Sequence, residues 1–274
     1  MAKNYSGKSV WITGGGTGIG RALAIEYGRH GATVLVTGRR EEPLLETASA
    51  VKEAGGVGLV HLSDVTKVTD LEKTVAYLIE ETGRLDVVVA NAGFGVGGRL
   101  ADVSAADWRR QFETNVIGLA MTAKVSIPYL RATKGRIALM GSVAGTLGVP
   151  NSGVYSASKF AVRGIGQVLT AELAGDGISC TTLLPGFVES DIAKVDNQGR
   201  FHEDWEDRRP QRLMWPADKA ARAMFKAVHS RTSERVITGH GKLATFFANH
   251  APRLTQTLMA KAGQEVRKKV DQID

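Results

Sequence analysis

The sequence predicts a doubly wound α/β fold: a mostly parallel, seven-stranded sheet with helices on both faces. Three observations predict it. Short apolar runs of strand length alternate with longer stretches of helical periodicity from Ser9 to Thr238. The spacing of those runs requires parallel crossovers. The first apolar run ends in a glycine cluster that opens directly into a helical pattern, the setting in which backbone amides cradle a phosphate.

Each element follows in order. Ser9–Thr13 (SVWIT) reads as a buried strand, and Gly14, Gly15, Gly16, Gly18 and Gly20 follow it. Glycines let a pyrophosphate approach the backbone; a plain glycine-rich turn is the alternative. The helical pattern then carries Ile19, Leu23, Ala24 and Tyr27. A second strand, Thr33–Thr37, ends at Gly38-Arg39-Arg40. An NAD site would place an acidic residue there to hold the ribose 2′-hydroxyl. Arg39 and Arg40 instead suit the 2′-phosphate of NADP through forked, charge-assisted bonds, unless they are solvated arginines opening a loop.

Helix Glu41–Ala54, strand Val57–Leu62 and helix Val68–Thr82 come next. Asp64-Val65 closes the third strand, where Asp64 either touches an adenine or caps the following turn. Strand Leu85–Ala90 ends in Asn91-Ala92-Gly93. After a glycine-rich loop, a long helix spans Ala105–Leu130 with Asn115 in its middle. Asparagine is a poor residue there, because its amide competes for backbone groups. Strand Arg136–Met140 ends at Gly141-Ser142, and strand Ser179–Leu184 at Pro185-Gly186. Between them lies helix Ser152–Ala174. The segment Gln198–Trp215 is polar and charged, with Phe201, Trp205 and Trp215 interspersed. Residues 187–215 read as a substrate lid, with a solvated excursion as the alternative. Helix Pro216–Ser230 and strand Arg235–Thr238 complete one domain, residues 1–240, and a helical appendage occupies 241–274.

Composition narrows the function classes. No run of about 18 apolar residues exists, so no membrane-spanning helix is expected. MAKNYSGKSV has no signal-peptide core, and the lone Cys180 excludes an internal disulfide framework; a cytoplasmic protein is expected. The net charge is +7, but zinc-finger spacing, RNA-binding aromatics and long basic runs are missing from the sequence. A basic enzyme, with no nucleic-acid partner and no metal, is the expectation.

Tyr155 and Lys159 lie four residues apart on the predicted helix 152–174, so both side chains face one space. A free phenol has a pKa of about 10. A lysine charge within a few ångströms favours the phenolate and tunes the pair for proton transfer. The same spacing also occurs on solvated helix faces.

These motifs together resemble the classical short-chain dehydrogenase/reductase family. Thr13-Gly14-Gly15-Gly16-Thr17-Gly18-Ile19-Gly20 is similar to its TGxxxGIG loop, Asn91-Ala92-Gly93 to its NAG turn, and Pro185-Gly186 to its PG turn. Asn115, Ser142, Tyr155 and Lys159 match its catalytic tetrad in order. The resemblance covers residues 7–240. It implies a Rossmann-type sheet of order 3-2-1-4-5-6-7 and NAD(P) bound by Gly14, Gly16, Thr17, Gly18, Ile19, Gly20, Asp64, Val65, Asn91, Ala92, Gly93, Pro185, Gly186, Val188 and Ser190. Arg39 and Arg40 would favour NADP(H). Tyr155 would be the proton donor or base, Ser142 the carbonyl-oxygen donor, and Lys159 a pKa perturber and ribose ligand. Asn115 would anchor a water beside Lys159.

Two departures stand out. Ser190 replaces the frequent threonine, and Thr238-Gly239-His240-Gly241 replaces a VDGG-like end. The expected activity is hydride transfer between nicotinamide and a carbonyl or secondary alcohol of a hydrophobic ketone or alcohol. The competing readings are a catalytically weak NADP sensor and a membrane-surface protein. A homodimer or homotetramer is expected, since helices 105–130 and 152–174 are apolar on more than one face. In the tail, Leu243, Phe246, Phe247 and His250 form one stripe, continued by Leu254, Leu258, Ala262, Val266, Val270 and Ile273. With its basic residues it reads as two helices, divided at Pro252, packed on their own domain over the substrate entrance, the alternative being an interfacial element on a membrane.

Overall fold

The computed structural model describes residues 4–207 and 209–270. Among these, seven parallel strands lie in the order β3-β2-β1-β4-β5-β6-β7. They are β1 Ser9–Thr13, β2 Thr33–Gly38, β3 Val57–Leu62, β4 Val87–Ala90, β5 Arg136–Met140, β6 Ser179–Leu184 and β7 Glu234–Val236. The order reverses between β1 and β4, which opens a crevice at the carboxyl ends of both.

Strand side chains alternate between two cores. Val10, Ile12, Val34 and Val36 pack with α1 (Gly18–Arg29), α2 (Glu41–Glu53) and α7 (Ala217–His229), through Leu23, Leu44 and Met224. Trp11, Leu35, Val88 and Ile137 face the opposite layer, α3 (Val68–Thr82), α5 (Leu119–Thr133) and α6 (Gly153–Glu172), through Leu71, Ala123 and Val162. Cover on both faces is why the central strands read as continuous apolar runs. Cys180 is buried in this second core.

Several boundaries move from their sequence positions. The fourth strand starts at Val87, not Leu85, because the Asp86 carboxylate accepts from the Ser9 N–H (2.9 Å) and pairs with Arg84 (2.7 Å). The last strand is Glu234–Val236, not Arg235–Thr238, since Thr238 caps the next helix by accepting from the Gly241 N–H. The long helix 105–130 runs on to Thr133 and changes pitch. It is α4 (Ala105–Phe112), a π-helical turn over Glu113–Gly118, and α5. The turn contains Asn115, and single π-helical turns inside α-helices are frequent at functional sites.

The tail forms two helices, α8 (Gly239–His250) and α9 (Pro252–Val270), with Pro252 at the first helical position. Its aromatic stripe is not the packing face. Gly241 and Thr245 are buried, while Leu243, Phe246 and Phe247 are 61%, 55% and 41% exposed. Small residues win because the helix lies tight on its neighbours. A Cβ on Gly241 would come 2.8 Å from Val143 Cγ2, and Thr245 Oγ1 is 3.3 Å from Thr146 Oγ1. Ile273 lies outside the described residues, and Val266 and Val270 outside those with described side chains.

Candidate active site

A cleft of about 340 Å³ opens at the carboxyl edge of the sheet. Every site residue named from the sequence lines it except Asn115. The first turn of α1 forms one wall. Thr17 precedes it in extended conformation, and its side chain caps no backbone group. The turn's N–H groups therefore keep their partial positive charge toward the cleft. Gly18 has φ +52°, and a Cβ on Gly20 would strike the Gly14 carbonyl oxygen. The loop is drawn onto the next strand end as well. Thr13 Oγ1 accepts from the N–H groups of Asn91 (3.0 Å) and Ala92 (3.1 Å), and Asn91 Nδ2 donates to the carbonyls of Thr13 (2.9 Å) and Gly14 (3.1 Å). Uncapped amides in a glycine-rich loop fit a dinucleotide pyrophosphate.

At the far end, Gly38, Arg39, Arg40, Ser63, Asp64 and Val65 line the cleft. Asp64 does cap its turn: Oδ1 accepts from the Thr66 N–H (3.0 Å) and hydroxyl (2.8 Å). It lines the cleft as well, so the two sequence readings are compatible. The sequence reading passed over Ser63, whose buried hydroxyl has no partner among the described residues.

α6 and β5 bring the chemistry together. Ser142 follows β5, its Oγ accepting from the Ala144 N–H (3.1 Å). Tyr155 and Lys159 project from α6, with Lys159 Nζ 5.6 Å from the Tyr155 ring centre. The electrostatics differ from the sequence expectation. Burial raises the Tyr155 phenol above its usual value; a Ser142 hydrogen bond and the Arg209 charge pull the other way, and Lys159 is not among the groups acting on it. The ammonium instead donates to the Met140 carbonyl (2.7 Å), and burial lowers its pKa to about 8. Desolvation is the leading cause at both groups.

Asn115 sits behind the cleft, fully buried. Its Oδ1 accepts from the Phe94 N–H (3.1 Å), and its Nδ2 donates to the Phe94 carbonyl (2.9 Å). It thereby staples the chain after Asn91-Ala92-Gly93 to the π turn.

Two further residues were given no role by the sequence reading. Arg209 donates to the carbonyls of Val188 (3.1 Å) and Ser190 (2.9 Å) and pairs with Asp207 (2.6 Å). His240 Nε2 accepts from the Phe187 N–H (3.1 Å), and a Cβ on Gly186 would strike both His240 and Thr238. The unusual Thr238-Gly239-His240-Gly241 segment, noted in the sequence as a departure, thus clamps the Pro185-Gly186 turn.

Comparison with known proteins agrees with this geometry. The chain is 34% identical over 204 residues to "11-beta-hydroxysteroid dehydrogenase A" of Sesamum indicum, covering 74% of this chain and 57% of that protein. It therefore matches just over half of that relative's length. A "3beta-hydroxysteroid dehydrogenase" of Mediterraneibacter gnavus is 31% identical over 214 residues, covering 73% of this chain and 78% of that one. A short-chain dehydrogenase/reductase from Burkholderia phymatum, solved in complex with NAD, superposes with a TM-score of 0.81 at 26% identity, covering 91% of this chain and 95% of that one. The short chain dehydrogenase family model matches residues 8–200. That match runs from the first strand through the glycine loop and the Tyr155–Lys159 helix, and the chain belongs to the short-chain dehydrogenase/reductase family of oxidoreductases.

Proposed function

We propose that this chain is an NADP(H)-dependent enzyme that moves a hydride between nicotinamide and a carbonyl or secondary alcohol of a hydrophobic substrate, lipid-, steroid- or xenobiotic-like. The observation that carries it is the meeting of Ser142, Tyr155 and Lys159 on one wall of the cleft. NADP is favoured by Arg39 and Arg40 beside Gly38, where a carboxylate would repel the 2′-phosphate. Phe94, Val188, Val195 and Phe201 line the same cleft and suit an apolar substrate, as do the hydroxysteroid names of the relatives.

Gly14, Gly16, Thr17, Gly18, Ile19 and Gly20 would hold the pyrophosphate, and Asp64 and Val65 the adenine. Asn91, Ala92, Gly93, Pro185, Gly186, Val188 and Ser190 would flank the nicotinamide half. When bound, the nicotinamide supplies or accepts the hydride. In reduction, Tyr155 Oη gives its proton to the carbonyl oxygen, a role suited to a phenol that burial keeps neutral. Ser142 Oγ donates to the same oxygen as its charge grows. Lys159 Nζ, charged below about pH 8, offsets the negative charge left on Tyr155 Oη. In oxidation the proton travels back.

The tail and the helix faces support two accessory readings. Exposed Leu243, Phe246, Phe247, Leu254 and Leu258, with Lys242, Arg253 and Lys261 close by in the chain, fit peripheral contact with an anionic membrane. No helix of the described residues is long and apolar enough to cross one. Exposed Ile117, Phe160 and Val168 fit a homodimer or homotetramer. The one cysteine, buried and unpaired, fits the cytoplasm.

NADPH consumption with a panel of ketosteroids and other apolar ketones tests the enzyme reading, with NADH run in parallel. Tyr155→Phe is expected to cut turnover at least about 100-fold while NADPH affinity holds. Retention of more than about a tenth of the activity would refute the mechanism. Equal use of NADH would refute the NADP preference.

A further inference from the structure

Residues 195–201 form a built hairpin. Val195 and Phe201 bridge antiparallel, the Asp196 N–H donates to the Arg200 carbonyl (3.0 Å), and Gly199 has φ +77° at the turn. Asp196 Oδ1 accepts from the N–H groups of Gln198 (2.9 Å) and Arg200 (2.8 Å), and its other oxygen pairs with His202 (2.8 Å). The hairpin reaches across the cleft and is held on both rims. On one side the Asn197 side chain exchanges two hydrogen bonds with the Gly97 backbone, both 2.9 Å, and its carbonyl accepts from Arg110 (2.7 Å). On the other side Arg39 Nη2 donates to the Gly199 carbonyl (3.0 Å), and the Arg40 guanidinium lies 4.7 Å from the Phe201 ring centre. The hairpin thus engages the same two arginines that flank the expected 2′-phosphate.

We propose that this hairpin is a specificity element: by fixing Arg39 and Arg40 it completes the 2′-phosphate site, and a nucleotide 2′-phosphate in turn clasps the hairpin shut. The inference rests on the NADP reading above. Both arginines are exposed at the end of β2, so each loses rotamer freedom when either partner binds it. Once one partner has ordered the side chain, the second meets a smaller entropy cost. Linkage makes the effect reciprocal. Arg39 has donors to spare, since a guanidinium carries five N–H groups and, among the described residues, it donates to the Gly199 carbonyl alone. A nucleotide lacking the 2′-phosphate engages neither arginine in this way and leaves the hairpin unbiased.

Adenosine 2′,5′-bisphosphate and AMP differ by that phosphate alone and serve as probes on the full chain. Calorimetry gives their affinities, and hydrogen exchange reads the amides of 195–201. Bisphosphate at saturation is expected to slow exchange in the hairpin several-fold more than AMP at saturation. Phe201→Leu, which removes the ring under Arg40, is expected to lower the bisphosphate-to-AMP affinity ratio roughly two- to fivefold. Asn197→Ala releases the far anchor without touching either arginine and should lower the same ratio; a change in thermal midpoint alone would not do so. If bisphosphate binds no tighter than AMP to the unaltered chain, both the NADP reading and the clasp are overturned. If it binds tighter, but exchange is equal with the two probes and neither variant moves the ratio, NADP selection stands and the clasp is overturned.

Discussion

Lys159 is 4% exposed, and among the described residues its ammonium donates to one acceptor, the Met140 carbonyl. Its pKa falls from 10.5 to about 8. The folded state therefore holds fewer protons than the unfolded chain between those values, so stability rises with pH across the interval. The penalty is fully present below pH 8 and disappears as pH approaches 10.5. It amounts to roughly 3 kcal/mol at about 1.36 kcal/mol per unit. Lys159→Met is expected to abolish turnover yet match or exceed the parent in thermal midpoint at pH 7, with the gap closing toward pH 10. Melting curves across that range check it; a variant less stable at pH 7 than at pH 10, relative to the parent, contradicts the burial argument. At this scale the sequence was legible where backbone geometry dictates the residue type. Gly20 cannot carry a Cβ beneath Gly14, and Gly186 cannot carry one beneath His240. Arg209 and Ser63 were not legible, and His240 stood out only as part of an unusual segment. Their importance comes from what folds against them.

Elements were legible in kind and less so in detail. The Tyr155–Lys159 helix lies within two residues of its expected ends, because its apolar period and the i, i+4 pair agree. The π turn at Asn115 was foreshadowed only by an asparagine in mid-helix. The tail shows the opposite failure: helical period correctly gives a stripe but not which stripe packs. Small residues take the inner face of α8 where close approach to Val143 and Thr146 is required. The aromatic face is left outward, and between Val236 and Gln264 the chain has no carboxylate. Phe246→Ser/Phe247→Ser should therefore leave the thermal midpoint nearly unchanged, since surface changes cost within about 0.5 kcal/mol. The same variant should lose co-sedimentation with phosphatidylserine vesicles at low salt. Destabilisation by the double substitution would mean that the stripe packs on protein, and a parent that does not sediment would remove the membrane reading.

At the scale of the whole molecule, the apolar runs and their crossovers specify a parallel sheet but not which strands are neighbours. The order came from the family resemblance, and the ladders agree with it. Partners of the assembled molecule are less legible still. Phe160 and Val168 on α6 remain 45% and 54% exposed, with Ile117 at 46% on the π turn. Phe160→Glu/Val168→Glu is expected to shift a dimer or tetramer to monomer in light scattering at micromolar protein; a monomeric parent would refute the oligomer. The core settles a practical matter too. The chain has one cysteine, and burial pushes the Cys180 thiol up to about 12, so almost none of it is thiolate at neutral pH. The native molecule is thus expected to react only slowly with maleimides at neutral pH. A single cysteine introduced at Gln198, on the hairpin tip, would be far more reactive than the buried Cys180, and a fluorophore there would report hairpin motion over a low background.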